Sequence, residues 1–330
     1  MEDRKKDHIN LALDSQTLKD EIDRRFWYEP LLSPHPSQLT PFTFLGKQFR
    51  VPLWVSSMTG GTQLAGKINS NLARACKEFG FGMGLGSCRI ILHDNTHFAD
   101  FDMRTVMGDD LPLYANLGIA QLEELVTSNQ CHVANDLVKR LRADGLIIHV
   151  NPLQEWFQPE GDRLQHAPLH TIQKFLEKAE FPVIVKEVGQ GMGPQSLLQL
   201  MKLPLAAVEF ASFGGTNFAR MEMKRNPDTD AASLFSPLTT VGVDAGDMLD
   251  AVNSLIGSEK DILCKEVIIS GGIKSFLDGF YYVRKSKLPA VYGQASSFLK
   301  FAREDYSSLQ QYIKNQIKGL EMAYAYLQIR

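Results

Sequence analysis

The residues with the clearest chemical meaning lie in two short segments near the C-terminal end of this 330-residue chain. They are Ser270-Gly271-Gly272-Ile273-Lys274 and Ala295-Ser296, and each directly follows an apolar run. Successive glycines leave backbone amides open to a ligand, and the N-terminus of a helix that begins near Ala295 attracts an anion. A plain tight turn would account for the glycines alone, but not for the second segment. Together the two segments predict a phosphate site.

A lysine ends another apolar run, Pro182-Val183-Ile184-Val185-Lys186. A charged side chain in such a run is costly to bury unless it meets a negative charge or a hydrogen-bond acceptor. The pyrimidine edge of a flavin, which becomes anionic on reduction, would suit Lys186. A salt bridge to Glu187 or Glu209 is the alternative.

Four polar residues within seven positions, His149, Asn151, Gln154 and Glu155, follow a third run. One imidazole and two amides can bind the oxygens of a diphosphate without adding net charge. A lone carboxylate such as Glu155 suits Mg²⁺, which keeps most of its waters and takes its other ligands from phosphate. His149 alone would be interpreted as a structural histidine, but the cluster favours a binding site. Further cations are Arg4, Lys5 and His8 near the N-terminus, where a simply solvated arm is the alternative, and Arg89.

Eight apolar runs alternate with amphipathic segments, which predicts parallel β/α units. The runs are 52–56, 80–85, 111–115, 145–149, 182–186, 206–210, 266–270 and 289–293. Nearly every run ends in polar or glycine-rich residues. A closed (β/α)8 TIM barrel brings all these ends to one rim, whereas an open doubly wound sheet gathers only those near its switch point. We therefore predict an α/β barrel in a single domain, 1–330, with an N-terminal arm at 1–45 and a rim insertion at about 220–265.

The composition argues against a protein that binds nucleic acid, spans a membrane or is secreted. Hydrophobic residues make up 44% and charged residues 22%, and the net charge is −3, so no broad positive field exists for nucleic acid or an anionic membrane. No apolar stretch is long enough to span a membrane. The four cysteines form no C-x-x-C pair and the charged N-terminus lacks a signal-peptide core. We expect a reduced, cytoplasmic protein.

With these motifs in place, the sequence resembles the type 2 isopentenyl-diphosphate delta-isomerase family of FMN-dependent barrel enzymes, from residue 4 to residue 299. The resemblance is carried by Arg4-Lys5-x-x-His8, Met58-Thr59-Gly60-Gly61, residues 149–155 and 158–163, Lys186-Glu187-Val188-Gly189 and Gly214-Gly215-Thr216. It implies interconversion of isopentenyl and dimethylallyl diphosphate with reduced FMN, Mg²⁺, and NADPH or NADH as the flavin reductant. It also implies a homo-oligomer, a tetramer or octamer.

The same resemblance implies roles for individual residues. The flavin ring and ribityl chain would contact Met58, Thr59, Gly60, Ser87, Asn116, Lys186 and Thr216, and the flavin phosphate Gly271, Gly272, Ile273, Ala295 and Ser296. The substrate diphosphate would contact Arg4, Lys5, His8, Arg89, His149, Asn151 and Gln154, and the metal Glu155. The chain departs from the family pattern at Cys88, Phe213 and Lys274. These departures concern flavin affinity more than the reaction.

No rim motif offers a pair of carboxylates for moving a proton to and from an alkene. We therefore hypothesise that reduced FMN is itself the acid–base catalyst, assisted by His149 and Gln154. One alternative is an FMN-dependent 2-hydroxy-acid oxidase, but the segment 211–216 lacks the histidine base that this chemistry needs. Another is a flavin-binding or scaffold protein without activity, which the intact Gln154-Glu155 pair argues against.

Overall fold

The structure, a computed structural model, describes residues 2–225 and 233–330. Its strands are β1 (Phe26–Tyr28), β2 (Phe42–Phe44), β3 (Lys47–Phe49), β4 (Leu53–Val55), β5 (Gly82–Gly84), β6 (Leu113–Gly118), β7 (Gly145–His149), β8 (Val183–Lys186), β9 (Ala207–Glu209), β10 (Val267–Ser270), β11 (Ala290–Gln294) and β12 (Leu327–Ile329).

Apart from short 3₁₀ turns, the helices in the described ranges are α-helices. They are α1 (Glu2–Leu11), α2 (Gln63–Phe79), α3 (Arg104–Met107), α4 (Ile119–Thr127), α5 (His132–Arg140), α6 (Pro152–Phe157), α7 (Pro168–Leu176), α8 (Pro194–Met201), α9 (Phe218–Arg225), α10 (Ala245–Ser258), α11 (Phe276–Lys285), α12 (Ser296–Ala302) and α13 (Tyr306–Tyr326). In the described ranges, no helix is both long and apolar enough to cross a membrane.

Strands β4 to β11 close into an eight-stranded parallel barrel, in which each strand pairs with its neighbours in the sequence and β11 pairs with β4. Each of the eight predicted runs overlaps one barrel strand, so the predicted TIM barrel is confirmed. One boundary differs. The third run was expected to end at residue 115, but the ladder with β7 continues until Gly118 pairs with His149. Asn116 therefore lies within a strand and not after it.

Two aromatic rings fill the barrel interior, and glycines on the neighbouring strands make room for them. Trp54 lies opposite Gly82, and Tyr114 opposite Gly145. The rings of Trp54 and Tyr114 come from non-adjacent strands and meet edge-on with centroids 6.1 Å apart. A Cβ atom on either glycine would lie 2.5 Å from a ring atom. Gly82 excludes a larger residue unless the ring of Trp54 shifts. Gly145 excludes one even then, because the added atom would also lie 2.2 Å from the backbone carbonyl oxygen of Pro182.

The amphipathic segments predict one apolar helix face with Leu64, Ile68 and Leu72, and another on the last helix from Leu309 to Leu327. The outer helices bury these faces except at their ends. On α2, Ile68 and Leu72 are buried, but Leu64 is 57% exposed because it lies in the first turn, beyond the barrel wall. The periodic pattern of the last helix continued to Leu327, but the chain leaves the helix at Tyr326 and forms β12, since antiparallel pairing with β1 takes over. Periodicity thus predicted which residues face the core better than it predicted helix ends.

Replacing Leu72 with alanine should lower the free energy of unfolding by about 2–5 kcal/mol, because the side chain is 1% exposed and leaves a cavity. The matched control on the same helix is Leu64→Ala, whose expected change is within about 0.5 kcal/mol. Urea denaturation followed by circular dichroism measures both. Equal losses for the two variants would contradict the placement of this helix.

The end of the N-terminal arm and the residues that follow it lie at the floor of the barrel. The β2–β3 hairpin lies there, and the backbone N–H of Leu45 donates to Glu266 Oε2 at 2.8 Å, one residue before β10 begins. The side chains from residue 3 to the end of α1 are exposed. Within the predicted insertion at 220–265, α9 packs on α6 above the barrel, whereas α10 packs on α8 like a regular outer helix. Residues 226–232 of this segment lie outside the described ranges.

Candidate active site

A cavity of about 250 Å³ opens at the C-terminal ends of strands β4 and β8 to β11. We call it the mouth pocket; its lining includes Ser56, Ser57, Lys186, Glu209, Thr216 and parts of segments 270–274 and 293–297. Seven of the residues predicted to hold the flavin line it, namely Lys186, Thr216, Gly271, Gly272, Ile273, Ala295 and Ser296. The barrel therefore brings together residues that are more than a hundred positions apart in the sequence.

The floor of the mouth pocket is polar and incompletely hydrogen-bonded. The hydroxyl of Ser57 and the Oε2 atom of Glu209 are both buried and have no partner within the protein. Nearly all buried polar groups in proteins are paired, with other protein groups, water or a ligand. These two atoms leave hydrogen-bonding capacity in the pocket for a polar ligand or for water.

The glycine segment after β10 forms a close backbone cradle at the rim of the pocket. Gly271 has φ +87° and Gly272 has φ +72°, a region that favours glycine. A Cβ atom on Gly271 would lie 2.2 Å from the carbonyl oxygen of Ser212, so the loop after β9 packs directly against it. Helix α12 begins at Ser296, as predicted. The two halves of the predicted phosphate site thus lie at one rim.

Lys186 is buried, and its ammonium group donates to the backbone carbonyl of Glu187 at 2.7 Å. The structure records no salt bridge within 4.0 Å between Lys186 and either Glu187 or Glu209, so the alternative drawn from the sequence is not formed. Burial lowers the pKa of Lys186, while the charges of Glu209 and Glu187 oppose that shift. The lysine is left available for an acceptor in the pocket.

The carboxylate of Glu187 fixes the loop that follows Lys186, a role that sequence reasoning missed. Its Oε2 atom accepts from the backbone N–H groups of Gly189, Gln190 and Gly191 at 2.6, 2.6 and 3.1 Å. Burial raises the pKa of Glu187, and these hydrogen bonds counteract the rise. An acidic residue directly before a glycine-rich loop was the available signal. The loop conformation in turn positions the carbonyl that receives Lys186.

His149 pairs in register with Lys186 on the adjacent strand. Its Nδ1 atom lies 2.7 Å from Asn116 Oδ1, and the amide group of Asn116 is oriented by donation from Nδ2 to the carbonyl of Leu85. The imidazole must then donate from Nδ1, which leaves the Nε2 lone pair free. Burial and the charge of Lys186 lower the pKa of His149 to about 3. The ring is neutral at physiological pH.

The depressed pKa of His149 predicts a measurable loss of stability in acid. The unfolded chain takes up this proton near pH 6.5 and the folded chain only near pH 3, so stability falls as pH decreases between these values. Flavin-free wild type should lose about 1–2 kcal/mol more between pH 7 and pH 5 than the His149→Gln variant. Urea unfolding at the two pH values measures the difference. His132→Gln, at an exposed position, should behave like the wild type.

The remaining polar cluster stands at the start of α6. The Asn151 amide donates to Glu155 Oε1 at 2.9 Å, and the backbone N–H of Asp162 donates to Glu155 Oε2 at 2.9 Å. Gln154 is held between Asn151 and Glu222, a buried residue of α9 that sequence reasoning missed. No group of three or more metal-ligating side chains occurs in the described ranges. A metal on Glu155 would therefore need ligands from substrate and water.

Other predicted site residues lie outside the mouth pocket. Arg4, Lys5 and His8 are exposed on α1 and, within residues 2–225 and 233–330, make no recorded side-chain hydrogen bond or ion pair. Arg89 is exposed and pairs with Asp162 at 2.9 Å. The loop residues that do not line the pocket are Met58, Thr59, Gly60 and Ser87, and Asn116 instead contacts His149.

Proteins of similar sequence show which family this chain belongs to. No protein-family model matches the chain. The isopentenyl-diphosphate delta-isomerase of Rickettsia felis is 35% identical over 325 residues, which cover 97% of this chain and 91% of that protein. The chain belongs to the isopentenyl-diphosphate delta-isomerase family. The family member from Rickettsia typhi is 36% identical over 305 residues, 91% of this chain and 86% of that protein.

Solved structures share the barrel of this isomerase family member at low sequence identity. A flavocytochrome b2 variant with benzoylformate superposes with a TM-score of 0.62 at 13% identity, covering 92% of this chain and 76% of that one. A mandelate oxidase variant with the monooxide FMN adduct gives 0.55 at 13% identity, with 93% and 88% covered. Likeness at this identity concerns the fold alone, and it agrees with the predicted barrel.

Proposed function

We propose that this chain interconverts isopentenyl diphosphate and dimethylallyl diphosphate, with reduced FMN in the mouth pocket and Mg²⁺ on Glu155. The observation that supports this most directly is that the mouth pocket and the polar cluster that begins at His149 lie side by side at one rim. The pocket that takes a polar ligand ends at Lys186, and His149 stands beside that lysine on the next strand. The family membership supplies the substrate class.

The residues present fit FMN. The unpartnered Ser57 hydroxyl and Glu209 carboxylate oxygen offer hydrogen bonds to a polar ring system, and the open glycine cradle at 271–272 offers backbone amides to a phosphate. Lys186 would hold the pyrimidine edge. When bound and reduced, FMN would supply the proton donor and acceptor that the rim lacks.

The chain itself would bind and orient the diphosphate. The amides of Asn151 and Gln154 lie on the rim beside the pocket. His149, whose bare Nε2 atom only accepts, would donate to a diphosphate oxygen once the bound anion brings a proton to the ring. Asn151 and the N–H of Asp162 orient both oxygens of Glu155, so that this carboxylate is held in place for a metal. Glu222 fixes Gln154 from α9. Binding energy from the diphosphate would thus position the alkene over the pocket.

The N-terminal cations would complete the diphosphate site. Arg4, Lys5 and His8 are exposed on α1, so they are available to an anionic ligand. Arg89 would exchange its ion pair with Asp162 for the substrate. The cytoplasmic location, the homo-oligomeric state and the preference for NADPH or NADH stay predictions.

The proposed function is tested by an anaerobic assay with isopentenyl diphosphate, FMN, NADPH or NADH, and Mg²⁺. The expected result is dimethylallyl diphosphate, with deuterium incorporated from heavy water and no net oxidation. A purified protein that is colourless and takes up no added FMN would contradict the proposal. Parallel assays with 2-hydroxy acids test the alternative oxidase activity, which the loop at 211–216 disfavours because it brings no histidine to the pocket.

Replacing Lys186 with alanine should weaken FMN binding by about tenfold or more, because a charge-assisted hydrogen bond contributes about 1.5–3 kcal/mol. The side chain is buried and meets only one protein acceptor, so its charge is available to the ligand. Fluorescence titration of the flavin measures the affinity. Lys274→Ala, at the exposed end of the same pocket, is the comparison expected to have the smaller effect. An unchanged titration for Lys186→Ala would remove this residue from the flavin site.

A further inference from the structure

Glu209 is a carboxylate at the floor of the mouth pocket with no exposed surface. It ends β9, and it pairs in register with Lys186 on β8. Both side chains line the pocket, yet they form no salt bridge within 4.0 Å, and the ammonium of Lys186 is directed to the carbonyl of Glu187. The pocket thus contains one buried positive and one buried negative group that the protein does not join directly.

The two oxygens of Glu209 have different environments. Oε1 accepts from the hydroxyls of Ser56 on one side and Ser270 on the other, at 2.5 and 3.1 Å. Oε2 is buried without a partner. One oxygen thus has two hydroxyl donors, and the other, unpaired and buried, is costly unless a ligand or a water molecule meets it. Packing of the barrel alone does not require a buried carboxylate with one unpaired oxygen.

We propose that Glu209 is a buried counter-charge to Lys186 that disfavours negative charge on a flavin bound in this pocket. Lys186 stabilises electron density on the ring, and Glu209 limits that stabilisation, so that the pair sets the charge of the reduced cofactor. The inference rests on the proposed function, because it assumes that the pocket holds FMN. The other titratable groups that face this pair are Glu187, His149 and the pocket residue Lys274.

A purely structural role for Glu209 gives a different expectation. The carboxylate links β4, β9 and β10 through its serine contacts, so its loss could lower stability without any effect on the cofactor. Stability and cofactor charge are therefore measured separately. Glu209→Gln keeps the shape and removes the charge, and it retains a carbonyl oxygen for the two hydroxyls.

The test is the two-electron reduction potential of FMN on the intact protein, measured anaerobically against a reference dye. Glu209→Gln should favour reduced over oxidised FMN by at least tenfold relative to wild type, an upward shift of about 30 mV. The absorption spectrum of the reduced protein should also show the anionic form persisting to lower pH. Glu266→Gln, which makes the same change at the barrel floor, should leave both readings unchanged.

Ser56→Ala provides a second variant should Glu209→Gln not fold, because the Ser56 hydroxyl donates to Glu209. Removing this donor leaves the charge of the carboxylate less compensated, so the potential should shift downward, in the direction opposite to that of Glu209→Gln. An unchanged potential and spectrum in a folded Glu209→Gln protein, or loss of flavin binding in it, would overturn the proposal. Failure of the wild type to bind FMN would instead overturn the proposed function.

Discussion

Replacing Gly271 with alanine is expected to lower the free energy of unfolding by about 3 kcal/mol or more and to abolish FMN binding. Gly271 has φ +87°, which strains any other residue, and an added Cβ would approach the Ser212 backbone nitrogen to 2.3 Å and its carbonyl oxygen to 2.2 Å. Both are backbone atoms of Ser212, which cannot move aside as the end of a flexible side chain could. The loops after β9 and β10 would have to separate, and the cradle for the phosphate would open.

Gly108→Ala is the matched control, because Gly108 has φ +79° but an added Cβ would meet no atom within 4 Å. Gly108→Ala has the backbone strain without the steric clash. Its free energy of unfolding should therefore fall by only about 1–2 kcal/mol, and its FMN affinity should not change. Chemical denaturation and flavin titration of both variants separate the two effects. Equal losses would show that backbone strain alone, and not the packing of the two loops, determines the effect at Gly271.

Replacing Glu155 with glutamine should raise the Mg²⁺ concentration needed for turnover by about 100-fold, since loss of even an outer partner of a metal ligand costs about 10–100-fold. The carboxylate is buried and oriented by Asn151 and Asp162, and in the described ranges no cluster of other metal-ligating side chains could replace it. FMN should remain bound, because Glu155 does not line the mouth pocket.

Magnesium titrations of turnover and flavin titrations together test this prediction. Glu160→Gln is the control: Glu160 lies on the following loop, and its ion pair with Arg225 is exposed on both sides. Exposed pairs contribute little, so this variant should behave like the wild type. Unchanged turnover and magnesium response in Glu155→Gln would show that the metal does not bind at this carboxylate.

The sequence by itself determined the barrel and the general position of its chemistry. Parallel strands buried on both faces give apolar runs, and the residue after each run marks the rim, so Lys186, Gly271 and Ser296 could be assigned to one end of the molecule. The rule depends only on local pattern and on the closure of the barrel. For the same reason, it could not predict that β6 runs on past Asn116 or that Leu64 faces solvent.

Only the tertiary structure decided which polar groups meet and which remain unpaired. The sequence offered Glu209 as a salt-bridge partner of Lys186, but the packed barrel gives that carboxylate to Ser56 and Ser270, from strands distant in the chain. Glu222 reaches Gln154 from a helix beyond β9, and nothing in its local sequence indicates this. Hydrogen-bond partners depend on distances across the barrel of a few ångströms, which residue type and spacing do not contain.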